Sequence, residues 1–170
     1  MKAVVDASPL IYLCRIGRLD LLRQYREVLI PEAVMDEVEE GRARGHMEAL
    51  DIRRLVRTRV ARVVRAPRTK REWNVGPGEA AAISVALKER VHEIVIDDRA
   101  AIAVAKFLGL RPVSVPFLLL RDRKAGKTSQ KSFETDLRHL LSEGYYLSPE
   151  PVERLIREGR VRTVPHVPQP

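Results

Sequence analysis

Four places in the sequence put an acidic side chain beside a predicted strand end or in a predicted helix, and these acids are the strongest candidates for chemistry. They are Asp6, Glu37, Glu79 and the adjacent pair Asp97 and Asp98. Asp6 follows a short apolar run, residues 3–5, which is too short for a helix and therefore predicts a buried strand. Open α/β sheets bind ligands at the carboxyl ends of their strands, which is where we expect Asp6.

Each acid taken alone also has an ordinary structural role. Glu79 would complement the positive end of its helix dipole, which is worth about 0.3–1 kcal/mol. Asp98 would be the N-cap of the helix predicted from Arg99, which is worth about 1 kcal/mol. Glu37 would lie on a solvated helix face, and Asp6 would be a turn residue. The chemical interpretation therefore depends on the acids coming together.

A parallel sheet would bring these acids to one edge. Asp6 and the pair Asp97 and Asp98 would follow strands, and the helix of Glu79 would begin at the same edge. Carboxylates gathered within a few ångströms repel, and their pKa values rise unless a cation joins them. Oxygen ligands suit Mg²⁺ or Mn²⁺, which keep several waters and take one or two carboxylates directly. Such an ion activates water and neutralises a phosphodiester, so the acids predict a metal-dependent nuclease.

The elements that must position these acids alternate between strands and helices, which predicts an α/β fold with a parallel sheet covered on both faces. Strands are expected at residues 3–5, 27–30, 92–96 and 111–115, while residues 60–64 fit either a strand or a helix. Helices are expected from residue 8, then at 19–22, 31–41, 46–50, 79–90, 99–108, 117–125, 129–142 and 149–158. In the first helix, Ser8 is expected as N-cap and Pro9 as the first helical residue.

Length and composition limit the remaining possibilities. The 170 residues suit one domain, expected over 1–160, with a Pro-rich tail at 161–170. No apolar run approaches the roughly 20 residues that span a bilayer, so we expect a cytoplasmic protein without a membrane segment. Cys14 is the only cysteine, which excludes an internal disulfide and a cysteine-based zinc site. The net charge of +8 favours an anionic partner.

Residues 53–71 contain nine Lys or Arg and no acid, so this basic window is the candidate surface for RNA. Its members are Arg53, Arg54, Arg57, Arg59, Arg62, Arg65, Arg68, Lys70 and Arg71. The same window would equally fit a solvated face or the surface that meets a protein partner, and the sequence leaves these alternatives open.

Four segments occur in order through residues 2–158: VVDASPLIYLCRIGRLDLL, IPEAVMDEV, GPGEAAAISVAL and IVIDDRAAIAVAKFLGL. Together they resemble a PIN domain, the nuclease fold of VapC-type toxins, and in particular a prokaryotic VapC-like branch. The resemblance implies a three-layer α/β/α sandwich with four to five parallel strands and a Mg²⁺- or Mn²⁺-dependent endoribonuclease. It also implies a homodimer and, in many relatives, a small antitoxin partner.

The resemblance assigns roles to individual residues. Asp6 matches the first acid, and Ser8 matches a hydroxyl residue that supports the site. Glu37 matches the acid of the pattern P-x-x-V-x-x-E in the third helix. Glu79 stands where many PIN proteins have Asp, so its longer side chain would reshape the metal site.

Asp98 best matches the final acid of the family, with Asp97 a close competitor. The resemblance makes Asp6, Glu37, Glu79 and Asp98 catalytic, and Asp6, Glu79, Asp97 and Asp98 metal ligands. Ile96 occupies a place where many relatives have Ser or Thr, so a polar contact of the family is absent there. The number of metal ions, one or two, stays open.

Two other function classes remain. A different Mg²⁺ enzyme such as a phosphatase would usually carry an Asp-x-Asp pair, whereas Ser8 stands two residues after Asp6. A non-catalytic module that binds RNA or a protein partner on the same fold would not need the acids for its activity.

Overall fold

The structure, a computed structural model, describes residues 1–43, 45, 47–68 and 73–160. The chain divides into two compact units, Met1–Val115 and Pro116–Pro170. The expected single domain over 1–160 stays a prediction, and the expected tail at 161–170 lies outside the described residues.

The first unit is built on a five-stranded sheet. Its strands are β1 (Lys2–Val5), β2 (Glu27–Pro31), β3 (Ala61–Val64), β4 (Glu93–Val95) and β5 (Arg111–Val113). All neighbouring strands are parallel, in the order β3-β2-β1-β4-β5. The central strand β1 is buried from Ala3 to Val5, as expected for a strand covered on both faces. The predicted α/β fold with a parallel sheet is confirmed, and the ambiguous run at 60–64 contains a strand.

The helices of the first unit flank this sheet. They are α1 (Ala7–Arg15), α2 (Glu32–Ala43), α3 (Glu48–Arg57), α4 (Pro77–Lys88) and α5 (Arg99–Phe107), with a 3₁₀ helix at Leu19–Gln24. α6 (Val115–Lys124) begins at the last residue of this unit, and the second unit contains α7 (Gln130–Ser142) and α8 (Pro149–Arg160). Within the described ranges, none of these helices combines the length and apolar sequence that crossing a bilayer requires.

The strand order reverses next to β1, because the chain first adds β2 and β3 on one side and later adds β4 and β5 on the other. Open α/β sheets bind ligands in the crevice at such a reversal. Val5 lies opposite Val95 in the register, and the N–H of Asp6 donates to the carbonyl of Val95 at 3.0 Å. Residues that follow β1 and β4 therefore lie side by side.

The two ends of the strands define two edges of the sheet. The carboxyl edge is the side at which the strands end, at Val5, Pro31, Val64, Val95 and Val113. The amino edge is the opposite side, at which they begin, at Lys2, Glu27, Ala61, Glu93 and Arg111.

Helix α4 packs against the centre of the sheet and begins at the carboxyl edge. It is alanine-rich and buried without interruption from Ala80 to Ala86, and it contacts β1, β2 and β4. Small side chains allow this close approach to the sheet, and Ile83 in the middle is fully buried. Burying such a side chain stabilises the fold by about 1.5–3 kcal/mol. α4 also contacts α2, which brings the acids of the two helices together.

The predicted start of the first helix is wrong. α1 begins at Ala7, with Asp6 rather than Ser8 at the N-cap position, and Asp6 makes no side-chain cap hydrogen bond. The N–H of Asp6 is held by β4, so the strand passes directly into the helix. Pro9 is tolerated in the first turn because the N–H groups there have no partner within the helix.

The predicted end of the helix over residues 31–41 is also wrong. α2 continues through Gly41 to Ala43, and the next helix runs from Glu48 to Arg57 rather than ending near residue 50. Buried Ile52 and Leu55 extend α3 into the basic window, because they supply an apolar face at helical spacing.

Candidate active site

Asp6 is the most buried acid of the candidate site, with only 2% of its surface exposed. Its Oδ1 has no hydrogen-bond donor among the described residues. Burial and the neighbouring charges of Glu79, Glu37 and Asp97 raise the pKa of Asp6 to about 7, although the N–H of Ala7 opposes the rise. The N–H of Ala7 therefore binds the Asp6 carboxylate, while burial and the neighbouring acids disfavour its charged form.

Glu79 is the acid with the widest electrostatic effect in this cluster. It lies in the first turn of α4, half-buried, near the positive end of that helix dipole. Its charge is the largest charge effect on the pKa of both Asp6 and Glu37. Glu79 therefore connects the acid that follows β1 with the acid on α2.

Glu37 reaches the site from the exposed side of α2. Partial burial of its carboxyl group, together with the charges of Glu79 and Glu40, raises its pKa. The position that a Cβ would take at Gly78 lies 2.8 Å from Glu37 Oε2 and 3.4 Å from Asp6 Oδ1. The two carboxylates thus border the same small space above the first turn of α4.

The adjacent acids Asp97 and Asp98 differ in their contacts. Asp97 is half-buried, its Oδ1 accepts the N–H of Val115 at 3.2 Å, and its charge raises the pKa of Asp6. Asp98 is exposed and caps α5, because its Oδ1 accepts the N–H of Ala101 at 2.8 Å. The structure brings Asp97 near Asp6 and gives Asp98 a capping contact. A chemical role for Asp98 stays a prediction.

The two other parts of the predicted site are Ser8 and the basic window. Ser8 lies half-buried in the first turn of α1, two residues after Asp6, and its supporting role stays a prediction. The basic window is divided by β3: Arg57 and Arg59 precede the strand at the amino edge, whereas Arg65 and Arg68 follow it at the carboxyl edge.

The remaining members of the basic window have other surroundings. Arg53 pairs with Glu39 at 2.5 Å, and Arg62 pairs with Glu27 at 3.1 Å. Arg54 lies on α3, and Lys70 and Arg71 lie outside the described residues.

The donor set fits a hard divalent cation that keeps part of its water shell. In the part of the chain that the structure describes, no three His, Cys, Asp or Glu side chains are close enough to enclose an ion by themselves. Mg²⁺ nevertheless needs only one or two direct carboxylates. The buried Oδ1 of Asp6, which has no donor among the described residues, offers one such ligand, and the neighbouring acids are oxygen ligands.

Sequence reasoning missed two glycines, Gly76 and Gly78, which border the carboxylates of Glu79 and Glu37. The available signal is local: the sequence Gly-Pro-Gly-Glu places both glycines directly before an acid at a helix start.

A family model described as DUF3368, a PIN domain, matches residues 2–160. The chain belongs to the PIN-domain family. PIN domains are generally nucleases that use divalent metals, which agrees with an acid cluster at the strand-order reversal. No curated protein and no solved structure matches the chain. The narrower resemblance of this PIN domain to VapC-type toxins stays a prediction.

Proposed function

We propose that this PIN domain is a Mg²⁺- or Mn²⁺-dependent endoribonuclease that hydrolyses RNA phosphodiesters at the carboxyl edge. The observation that carries the proposal is the environment of Asp6. Its carboxylate is buried, its Oδ1 has no donor among the described residues, and its near charges are Glu79, Glu37 and Asp97. Such an arrangement is unfavourable by itself and becomes favourable when a cation joins the acids.

The positions of the acids suggest a different role for each of them. Asp6 and Asp97, which follow neighbouring strands, would hold the cation, and Glu79 would contribute charge from α4. A cation held there would supply Lewis acidity and would make a nearby water easier to deprotonate. Glu37 has a raised pKa and an exposed side, so its Oε2 is suited to accept the proton of the attacking water. This assignment takes Asp97 rather than Asp98 as the final acid.

Two arginines of the basic window support a proposal for how the substrate binds. Arg65 and Arg68 follow β3 on the same edge as the acids, while Arg57 and Arg59 lie at the opposite edge. The four residues of β3 separate the two pairs by about 13 Å, at about 3.3 Å per residue. We therefore propose that Arg65 and Arg68 bind the phosphates that flank the cleaved bond.

The toxin role, the antitoxin partner and the homodimer are supported only by the resemblance to VapC-type proteins. The net charge of +8 supports an anionic substrate, and it fits RNA as expected for a nuclease of this family.

The test is cleavage of structured and unstructured RNA by purified protein with Mg²⁺, Mn²⁺ or EDTA. Asp6→Asn removes the buried charge, and Asp36→Asn, an exposed neighbour of Glu37 on α2, is the matched control. We expect metal-dependent cleavage by the wild-type protein and by Asp36→Asn. Asp6→Asn should reduce the cleavage rate about 10³-fold, as when a group that stabilises the transition state is lost. Binding of RNA without cleavage under any metal would instead support a non-catalytic module.

A further inference from the structure

We infer that Gly76 and Gly78 are positioning residues, which are glycines because a side chain at either position would displace a carboxylate of the acid cluster. This inference deepens the proposed function and rests on it. Its evidence is the space around each glycine rather than the backbone conformation.

The backbone does not require glycine at these two positions. Gly17, Gly45, Gly109, Gly126 and Gly144 all have positive φ, the region that disfavours other residues, and a Cβ would meet nothing within 4 Å at any of them. Gly76 instead has φ −63° and ψ 163°, and Gly78 lies within helix α4. Other residues adopt these conformations readily, so the absence of a side chain has a different cause.

At Gly76 the cause is Glu79. A Cβ there would overlap Glu79 Oε2 and would lie 3.0 Å from its Cδ and 3.3 Å from its Oε1. Glu79 is the third residue of α4 and folds back over the N-cap residue, as acids at this position commonly do. Gly76 thus holds open the place that the Glu79 carboxylate occupies.

At Gly78 the cause is the space between two other acids. A Cβ there would lie 2.8 Å from Glu37 Oε2, 3.4 Å from Asp6 Oδ1 and 3.8 Å from Val34 Cγ2. A methyl group would push the flexible end of Glu37 away and would crowd Asp6 Oδ1. Because the atom in the way is the end of a flexible side chain, the fold should accept the change while the site does not.

Gly159 supplies the matched comparison within the same chain. A Cβ there would also be crowded, 2.8 Å from Cε1 of the Phe133 ring, but the neighbour is a fully buried aromatic side chain. Gly159→Ala should therefore lower stability without affecting the acids, whereas at Gly76 and Gly78 we expect the main effect at the acids.

The experiment measures Mn²⁺ affinity by calorimetry and thermal unfolding in EDTA for wild type, Gly76→Ala, Gly78→Ala and Gly159→Ala. We expect Gly78→Ala, inside α4, to unfold at or above the wild-type temperature, because alanine is the better helix former. Gly76→Ala should unfold slightly below the wild-type temperature, because alanine is a poorer N-cap than glycine. Both variants should bind Mn²⁺ about tenfold more weakly than the wild type. Gly159→Ala should unfold at a lower temperature and keep the wild-type affinity.

Double variants show which side chain carries the effect. If Gly78→Ala acts through Glu37, it should have no further effect on Mn²⁺ affinity in a Glu37→Ala background, and the same holds for Gly76→Ala with Glu79→Ala. Wild-type affinity in both glycine variants, or unfolding of Gly78→Ala at a lower temperature like that of Gly159→Ala, would overturn this inference alone. Absence of saturable Mn²⁺ binding by the wild-type protein would overturn the proposed function, and this inference with it.

Discussion

The sheet buries one acid at each of its two edges, and the two acids have opposite surroundings. Asp6 follows β1 at the carboxyl edge and is 2% exposed, while Glu93 begins β4 at the amino edge and is 3% exposed. Glu93 Oε2 accepts the hydroxyl of Tyr25 at 2.9 Å, and its Oε1 lies 3.6 Å from Arg111 Nε. Asp6 instead lies among acids that raise its pKa.

This comparison shows that burial alone does not indicate a functional carboxylate. A buried acid with a hydroxyl donor and a guanidinium has its charge compensated within the protein, and it contributes to the fold. A buried acid surrounded by other acids lowers the stability of the empty protein and gains from a cation. The two edges therefore predict opposite responses to removal of the carboxylate.

The largest expected effect is at Asp6. The pKa of Asp6 is about 7 in the folded protein and near 3.8 in the unfolded chain. The protonated carboxyl group therefore makes its full contribution to stability below pH 3.8, and this contribution is lost as the pH rises through about 7. Asp6→Asn in EDTA at pH 8 should raise the free energy of unfolding by on the order of 4 kcal/mol. Urea unfolding at pH 8 and pH 4 measures this, and the gain should shrink at pH 4. An equal gain at both values would contradict the predicted titration.

The amino edge should respond in the opposite direction. Glu93→Ala leaves the buried Tyr25 hydroxyl without this acceptor, so we expect a loss of about 2–3 kcal/mol in the free energy of unfolding. Cleavage by the protein that remains folded should be unchanged. Urea unfolding gives the stability, and Glu89→Ala, an exposed acid just after α4, serves as control. Stabilisation by Glu93→Ala would remove the distinction between the edges.

A smaller effect separates the adjacent acids of the carboxyl edge. Asp97→Asn should weaken Mn²⁺ binding and slow cleavage by about 10- to 100-fold, as expected when a ligand of the ion is weakened. Asp98→Asn should change neither, because Asn caps a helix about as well as Asp. Calorimetry and cleavage rates measured on both variants show which of the two acids acts in the site. The reverse pattern would favour Asp98, the residue that the family resemblance selects.

The smallest effect concerns the two ends of β3. Arg65→Ala/Arg68→Ala should weaken RNA binding about tenfold and reduce the slope of log affinity against log salt by about 1.4, because two phosphate contacts are lost. Arg57→Ala/Arg59→Gly removes the same charge from the amino edge, and glycine suits the φ of 58° at Arg59. Binding titrations at several salt concentrations should show little change for this second pair. Equal losses would mean that the window acts only through net charge.

Much of this arrangement follows from local sequence. The apolar run before Asp6 and the run before Asp97 predict strands, and alternation with helices predicts that they are parallel, which brings their ends to one edge. The helix of Glu79 follows from its apolar pattern after the turn. These local signals suffice to place three of the acids on the correct elements.

The choice between Asp97 and Asp98 depends on detail that the sequence does not contain. Side chains alternate direction along an extended chain, so a change of one residue in the strand end changes which acid faces Asp6. The predicted strand ends at Ile96, whereas β4 ends at Val95, and such boundaries are uncertain by one or two residues. The role of Gly78 could not be predicted from the sequence either, because it depends on the contact between α2 and α4.

The hydrogen bond from the Asp6 amide to Val95 ties this acid to the central strand β1 and to its neighbour β4. We expect an amide in that position to exchange its hydrogen by opening of the sheet rather than by local fraying. We therefore expect the backbone that carries Asp6 to keep its position until the sheet itself opens. Heat inactivation and global unfolding should then share one transition, so the lifetime of the activity is the lifetime of the fold.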